Sequence, residues 1–167
     1  MSDTPLTVSI VTVPSLVLCG LYVRTSMQNA SEDCPRLWEQ TFLPRMAELC
    51  RTPSHECQGE SYGISVMDGT APHEFTYWAA MPYGPETPLP EGMSRIELQG
   101  GSYARCRVPS LQQLGEAYTY LYMRWRDPDG AFAPDMTLPC FERYGAAYLE
   151  RGELDIFMPL RADSENG

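Results

Sequence analysis

Glu74-Phe75-Thr76-Tyr77-Trp78-Ala79-Ala80-Met81-Pro82 returns about 80 residues later as Glu153-Leu154-Asp155-Ile156-Phe157-Met158-Pro159-Leu160. Both segments read as strands and both close on Met-Pro, which marks an internal repeat. Working backwards from each, the chain offers a strand, a helix, a strand and then this closing strand. The halves run roughly 6–91 and 92–160 within one domain, 1–167, of α+β class. In the second copy Leu154, Ile156, Met158 and Leu160 alternate with Glu153, Asp155 and Phe157, so the first set is assigned to the core. Alignment on Met-Pro puts Tyr77, Ala79 and Met81 on the matching core face. Thr76, Trp78 and Ala80 then share the face of Phe157. Trp78 and Phe157 stay open between stray exposed rings and the walls of a groove where two units join.

Between these strands the helical periods are legible. Ser110 is expected to cap a helix running to about Arg126, with Gln113 completing a capping box. Its apolar face is Leu111, Leu114, Ala117, Tyr118, Leu121, Tyr122 and Trp125. Asp127-Pro128-Asp129-Gly130 supplies the stop. The first half repeats this less cleanly, with Pro35 in the first turn of a helix over about 35–50 and Leu37, Trp38, Phe42, Met46 and Leu49 on one face. Pro44 should split or kink that helix. The helical spacing alone assigns Trp125, Tyr118 and Phe42 to the core.

Composition excludes several functions. The chain has 167 residues with 22 acids against 12 cations, a net charge of −10. Such a surface repels nucleic-acid backbones and anionic membranes, so neither is expected as a partner. Every cation is an arginine, which rules out a lysine Schiff base or a P-loop lysine. The apolar stretch Val8 to Val23 contains Pro14 and lacks a basic n-region, so it reads as a strand and not as an export signal. A cytoplasmic location with reduced thiols is expected. Cys50, His55 and Cys57 lack the second close pair of a zinc site and read as a polar loop, so no metal and no cofactor are expected. There is no nucleophile elbow and no glycine-rich phosphate loop.

One carboxylate stands apart. Glu142 lies in Pro139-Cys140-Phe141-Glu142-Arg143-Tyr144, among aromatics in a strand-like stretch. An anion placed there calls for a cationic partner. Arg143 points to the opposite face of a strand and cannot easily supply it. An arginine of a neighbouring strand is the structural alternative to a ligand. Tyr103 shares its face with Arg105 and Arg107, opposite Ala104, Cys106 and Val108.

From about Leu6 to Leu160 the chain resembles the GyrI-like, or AraC-type effector-binding, domain family. The resemblance is carried by Leu37-Trp38, Tyr62-Gly63-Ile64, Phe75-x-Tyr77-Trp78, Gly101-x-Tyr103-Ala104, Tyr118-x-x-Leu121-Tyr122-x-x-Trp125, Pro139-x-Phe141-Glu142-x-Tyr144 and the closing Ile156-Phe157-Met158-Pro159-Leu160. It implies a tandem pair of β-α-β-β units with a ligand cleft between them. It also implies recognition of flat, lipophilic organic cations by aromatic rings around a buried glutamate. Glu142 matches that glutamate, and Trp38, Tyr62, Trp78, Tyr122 and Phe157 match the region of the wall, with Tyr103 a further candidate. Nothing ahead of the first strand suits a helix-turn-helix, so direct transcription regulation is not expected. A small-molecule binder that is not an enzyme is the first expectation. The second is a hydrolase of cyclopropane-bearing electrophiles, with Glu142 as general base and Tyr122 or Tyr103 as acid. The third is a protein partnership such as with gyrase.

Overall fold

The run that begins at Val8 is cut by Pro14 and folds as two strands where one was expected, β1 (Thr7–Val13) and β2 (Leu16–Ser26). They are far apart in the sheet. The computed structural model describes residues 6–45, 60–67, 73–83 and 88–162. After β2 come α1 (Ala30–Arg36), β3 (Ser61–Val66), β4 (Glu74–Pro82), β5 (Ser94–Leu98) and β6 (Gly101–Val108). The chain continues through α2 (Leu114–Thr119), β7 (Phe132–Pro134), β8 (Cys140–Tyr144), α3 (Ala146–Arg151) and β9 (Leu154–Ala162). The protein is therefore α+β.

Its antiparallel sheet runs β1-β6-β9-β8-β3-β4-β2-β5, with β7 added on β9. Six strand intervals separate β1 from β2, about 29 Å in a flat sheet at ~4.8 Å each, yet only Pro14 and Ser15 join them. Three Cα steps span at most about 11 Å. The same arithmetic holds for β5 and β6, joined by Gln99 and Gly100. The sheet must curl until its two ends approach. The two links do meet, with Gly100 N donating to Ser15 Oγ at 3.1 Å. The expected halves at 6–91 and 92–160 thus exchange edge strands, β1 pairing with β6 and β5 with β2.

Curling gives the sheet two unlike faces. The inner face packs Leu18, Tyr62, Ile64, Ala80, Leu98, Tyr103, Phe141 and Phe157 against one another. Phe141 and Phe157 stack there, 4.8 Å between centroids and 13° apart. The outer face carries the helices in two separate clusters. Leu37 and Phe42 cover Cys19, Phe75, Tyr77, Ala79 and Met81 of β2 and β4. Ala117, Leu121 and Trp125 cover β6 and β9, including Leu154, Ile156, Met158 and Leu160, the set the alternation assigns to the core.

Neither long helix is regular. The first begins at Ala30 and not at Pro35, which lies inside α1. It widens into a π-helical turn over Leu37–Phe42 and tightens to a 3-10 turn over Leu43–Arg45, where Pro44 sits. Residues 46–50 lie outside the described part. The second opens as a 3-10 turn over Leu111–Gln113 and ends in a π-helical turn over Tyr120–Arg124. The capping box does not form: Gln113 N donates to the Ser110 carbonyl at 3.1 Å, and the Ser110 hydroxyl faces Gln113 Oε1 at 3.4 Å. The tighter first turn takes the donor that the cap would use. The predicted stop is present. Asp127 accepts from the backbone N–H groups of Asp129, Ala131 and Phe132, and Gly130 adopts φ +66°.

Cys19, Cys34, Cys106 and Cys140 are free thiols. Cys50, His55 and Cys57, expected in a polar loop, lie outside the described residues. No helix among the described residues is long and apolar enough to cross a membrane.

Candidate ligand-binding site

β8 is central in the sheet, and its alternate residues Cys140, Glu142 and Tyr144 face outward into the gap between the two helical layers. Their register puts Glu142 opposite Gly63 of β3 and Ile156 of β9. Glu142 is only 3% exposed. An ionised carboxylate at such a position must be hydrogen-bonded. Three phenols do this. Tyr77 donates to Oε1 at 2.8 Å, Tyr144 to Oε1 at 3.1 Å and Tyr118 to Oε2 at 2.5 Å. Trp38 Nε1 in turn donates to the Tyr77 oxygen at 2.9 Å, which orients that hydroxyl.

The electrostatics follow from burial. Loss of solvent raises the Glu142 pKa, and the hydrogen bonds from Tyr118, Tyr77 and Tyr144 pull against that rise. Burial and then the Glu142 charge push Tyr77 and Tyr118 well above the ordinary phenol value. Tyr144 is raised for the same reasons. All three remain protonated donors near neutral pH. Two thiols border the group. Burial raises Cys34 to about 12, helped by the Glu142 charge, and Cys140 to about 11.

Aromatic rings complete the surround. Trp38 meets Phe42 edge-on at 5.4 Å and Tyr144 at 5.6 Å, and Tyr144 meets Tyr148 of α3 at 5.0 Å. Both π-helical turns contribute here, one carrying Trp38 and the other Tyr122, whose hydroxyl interacts with Cys140.

Of the residues expected at the site, Glu142, Trp38 and Tyr122 come together. Tyr62, Trp78, Tyr103 and Phe157 do not: all four belong to the inner-face cluster, on the other side of the sheet. Trp78 packs on Tyr22 at 4.7 Å, and Phe157 is sealed between Phe141 and Tyr103. The acid suggested from Tyr103 is therefore on the wrong face from Glu142. Conversely Tyr118, assigned to the core by its helical spacing, donates to the carboxylate. Tyr77, placed on a core face, does so as well. The available signal was the hydroxyl, because a tyrosine on a core face still needs a partner for its O–H.

Arg143 faces away from Glu142 as expected. It binds Asp155 at 3.0 Å together with Arg107 at 2.6 Å, and its guanidinium lies 5.0 Å over the Phe157 ring. That network occupies Arg107 and Arg143 on the inner side. A polar surface hollow of about 430 Å³ beside Arg24, Asp33, His73 and Glu74 is separate from Glu142. Among its groups Thr25 donates to Asp33 at 2.9 Å and Arg24 to Thr76 at 2.9 Å.

A curled antiparallel sheet carries two interrupted helices on its outer face with a buried acid between them, and the family model that matches this chain is one of effector binding proteins. The chain belongs to the Cass2 family of integron-associated effector binding proteins, whose family model matches residues 9–160. Among solved structures, an integron cassette protein from the mobile metagenome of Vibrio cholerae is similar at 16% identity and a TM-score of 0.64, over 92% of this chain and 95% of that one. The protein SAV2435, solved bound to tetraphenylphosphonium, is similar at 16% identity and a TM-score of 0.66, over 96% of each chain. EcmrR, solved in a DNA complex, is similar at 10% identity and a TM-score of 0.62, over 93% of this chain and 57% of that one. Comparison with curated proteins gives no match.

Proposed function

We propose that this chain binds cationic, aromatic, lipophilic drug-like compounds, with Glu142 as the counter-charge and Trp38, Tyr77, Tyr118, Tyr122, Tyr144 and Tyr148 as the wall. The observation that carries the reading is a carboxylate buried to 3% exposure whose partners among the described residues are phenols and not arginines. Phenol donors offset the cost of burying the charge without neutralising it. An organic cation supplies the missing charge and gains attraction from the ring faces, about 0.5–2 kcal/mol for each well-placed ring. Weakly hydrated cations fit such a site best, because they lose little on leaving water. The tetraphenylphosphonium held by one structural neighbour is a compound of this kind.

Ligand entry requires the phenols over Glu142 to move aside. The π-helical turns that carry Trp38 and Tyr122 are where this movement is placed, since such turns are rare interruptions that recur at functional sites. The test is fluorescence titration with tetraphenylphosphonium and with neutral triphenylphosphine oxide, followed by mass spectrometry of the recovered compounds. Selective binding of the cation, recovered intact, is the expected result. Equal affinity for the neutral analogue would remove Glu142 from the binding role.

A further inference from the structure

Glycine 63 lies on β3 directly opposite Glu142, and its lack of a side chain coincides with the most crowded point of the site. A Cβ built there would stand 2.1 Å from the Tyr77 hydroxyl oxygen and 2.6 Å from Glu142 Oε1. Real Cβ atoms do not approach other atoms so closely. Gly20, by contrast, is tight against the Ala79 carbonyl at 2.0 Å and the Ala80 backbone. At Gly20 the obstacle is the next strand, an ordinary requirement of the sheet. At Gly63 the obstacles are the two side chains that make the Tyr77–Glu142 hydrogen bond.

We infer that Gly63 is a positioning residue: it vacates the space in which Tyr77 Oη and Glu142 Oε1 meet, and so sets the hydrogen-bond shell of the binding carboxylate. The inference rests on the Glu142 site being the binding site, but its structural part stands without a ligand. Glycine is otherwise unfavourable in a strand interior, where it weakens the ladder and packs nothing. No positive φ at Gly63 explains its presence. The space it leaves does. The groups that face Glu142 are Cys34 from α1, Tyr77 from β4, Tyr118 from α2, and Cys140 and Tyr144 from β8. Of the three phenol oxygens, that of Tyr77 is the one among the atoms nearest to a Cβ at Gly63.

The test is a cycle of Gly63→Ala, Tyr77→Phe and the double variant. Melting temperature and the Glu142 side-chain carboxyl carbon, titrated by NMR, are read without ligand. Gly63→Ala is expected to lose roughly 5–10 °C in Tm and to move the Glu142 midpoint upward, as one stabilising donor is pushed off the carboxylate. Adding Tyr77→Phe deletes the nearer colliding atom and should restore at least half of the lost Tm, while the midpoint stays raised. A glycine needed only for packing would not move that midpoint. The inference is overturned if Gly63→Ala leaves both readouts at wild-type values, or if the double variant is no more stable than the single one, including the case in which both fail to fold. Tetraphenylphosphonium affinity is measured on the same proteins, with at least a tenfold loss expected in Gly63→Ala. Absence of binding to the wild type would sink the binding reading and leave the cycle to decide the role of Gly63.

Discussion

Tyr118 of α2 reaches across the layer between helix and sheet to donate to Glu142 Oε2 at 2.5 Å. This bond ties the second helix to the central strand at Glu142, the acid on the strand's helix-facing side. It contributes most when the carboxylate is ionised, the form that most needs donors. Tyr118→Phe should therefore destabilise the protein by about 1–3 kcal/mol at neutral pH, and by less in acid, where Glu142 is protonated. Urea denaturation at pH 4 and pH 8 checks this. An equal loss at both values would mean that the hydroxyl contributes independently of the charge on Glu142.

Glu142→Gln reports the cost of the buried charge itself. Burial raises the folded-state pKa above the ordinary carboxylate value. An acid with a raised folded pKa contributes stability that is fully present below its unfolded pKa and is lost as pH rises through the folded one. The wild type should lose stability over that window, and the glutamine variant should show a flatter profile and be at least as stable at pH 8. Thermal melts between pH 4 and pH 8 read the difference. The same variant should lose at least tenfold in tetraphenylphosphonium affinity, about 1.4 kcal/mol, while neutral triphenylphosphine oxide is unaffected.

Much of the fold was legible because strand alternation and helical spacing are local. Leu154, Ile156, Met158 and Leu160 fall on the core face they were assigned to, and Glu142 falls on a strand with Arg143 turned away. What alternation cannot convey is curvature. Phe157 and Trp78 lie opposite a core face, which in a flat sheet would mean solvent or a cleft. Here the two short links at Pro14-Ser15 and Gln99-Gly100 curl the sheet, and that second face becomes a second core. The links are visible in the sequence, but their consequence depends on strand order, which is not. Tyr118 and Tyr77 were passed over for a different reason: spacing identifies a buried face and does not record where a hydroxyl on it finds its partner.

The separation of the two faces has its own test. Phe157→Ala empties the inner cluster and should cost about 3–5 kcal/mol, with cation affinity retained in the folded fraction. Trp38→Ala should do the reverse, costing cation affinity more than stability, since Trp38 is only partly buried and orients the Tyr77 hydroxyl. Comparing both variants by denaturation and by titration decides the matter. A loss of selective cation binding in Phe157→Ala alone would return the inner face to the list of ligand surfaces.

Cation binding should release a proton. In the empty protein below the raised Glu142 pKa, part of the population holds the carboxyl neutral, and an entering cation favours the ionised form. Tetraphenylphosphonium affinity must then rise with pH until Glu142 is fully ionised, and level off above it. Tyr77, Tyr118 and Tyr144 cannot imitate this, because their own pKa values are displaced upward, away from the range concerned. Cys34 at about 12 and Cys140 at about 11 are likewise out of range. Calorimetry in two buffers of different ionisation enthalpy should give up to one proton released below the raised Glu142 pKa, falling to none once the empty protein holds Glu142 ionised. Affinity independent of pH, with no buffer dependence, would show that the cation binds away from the carboxylate.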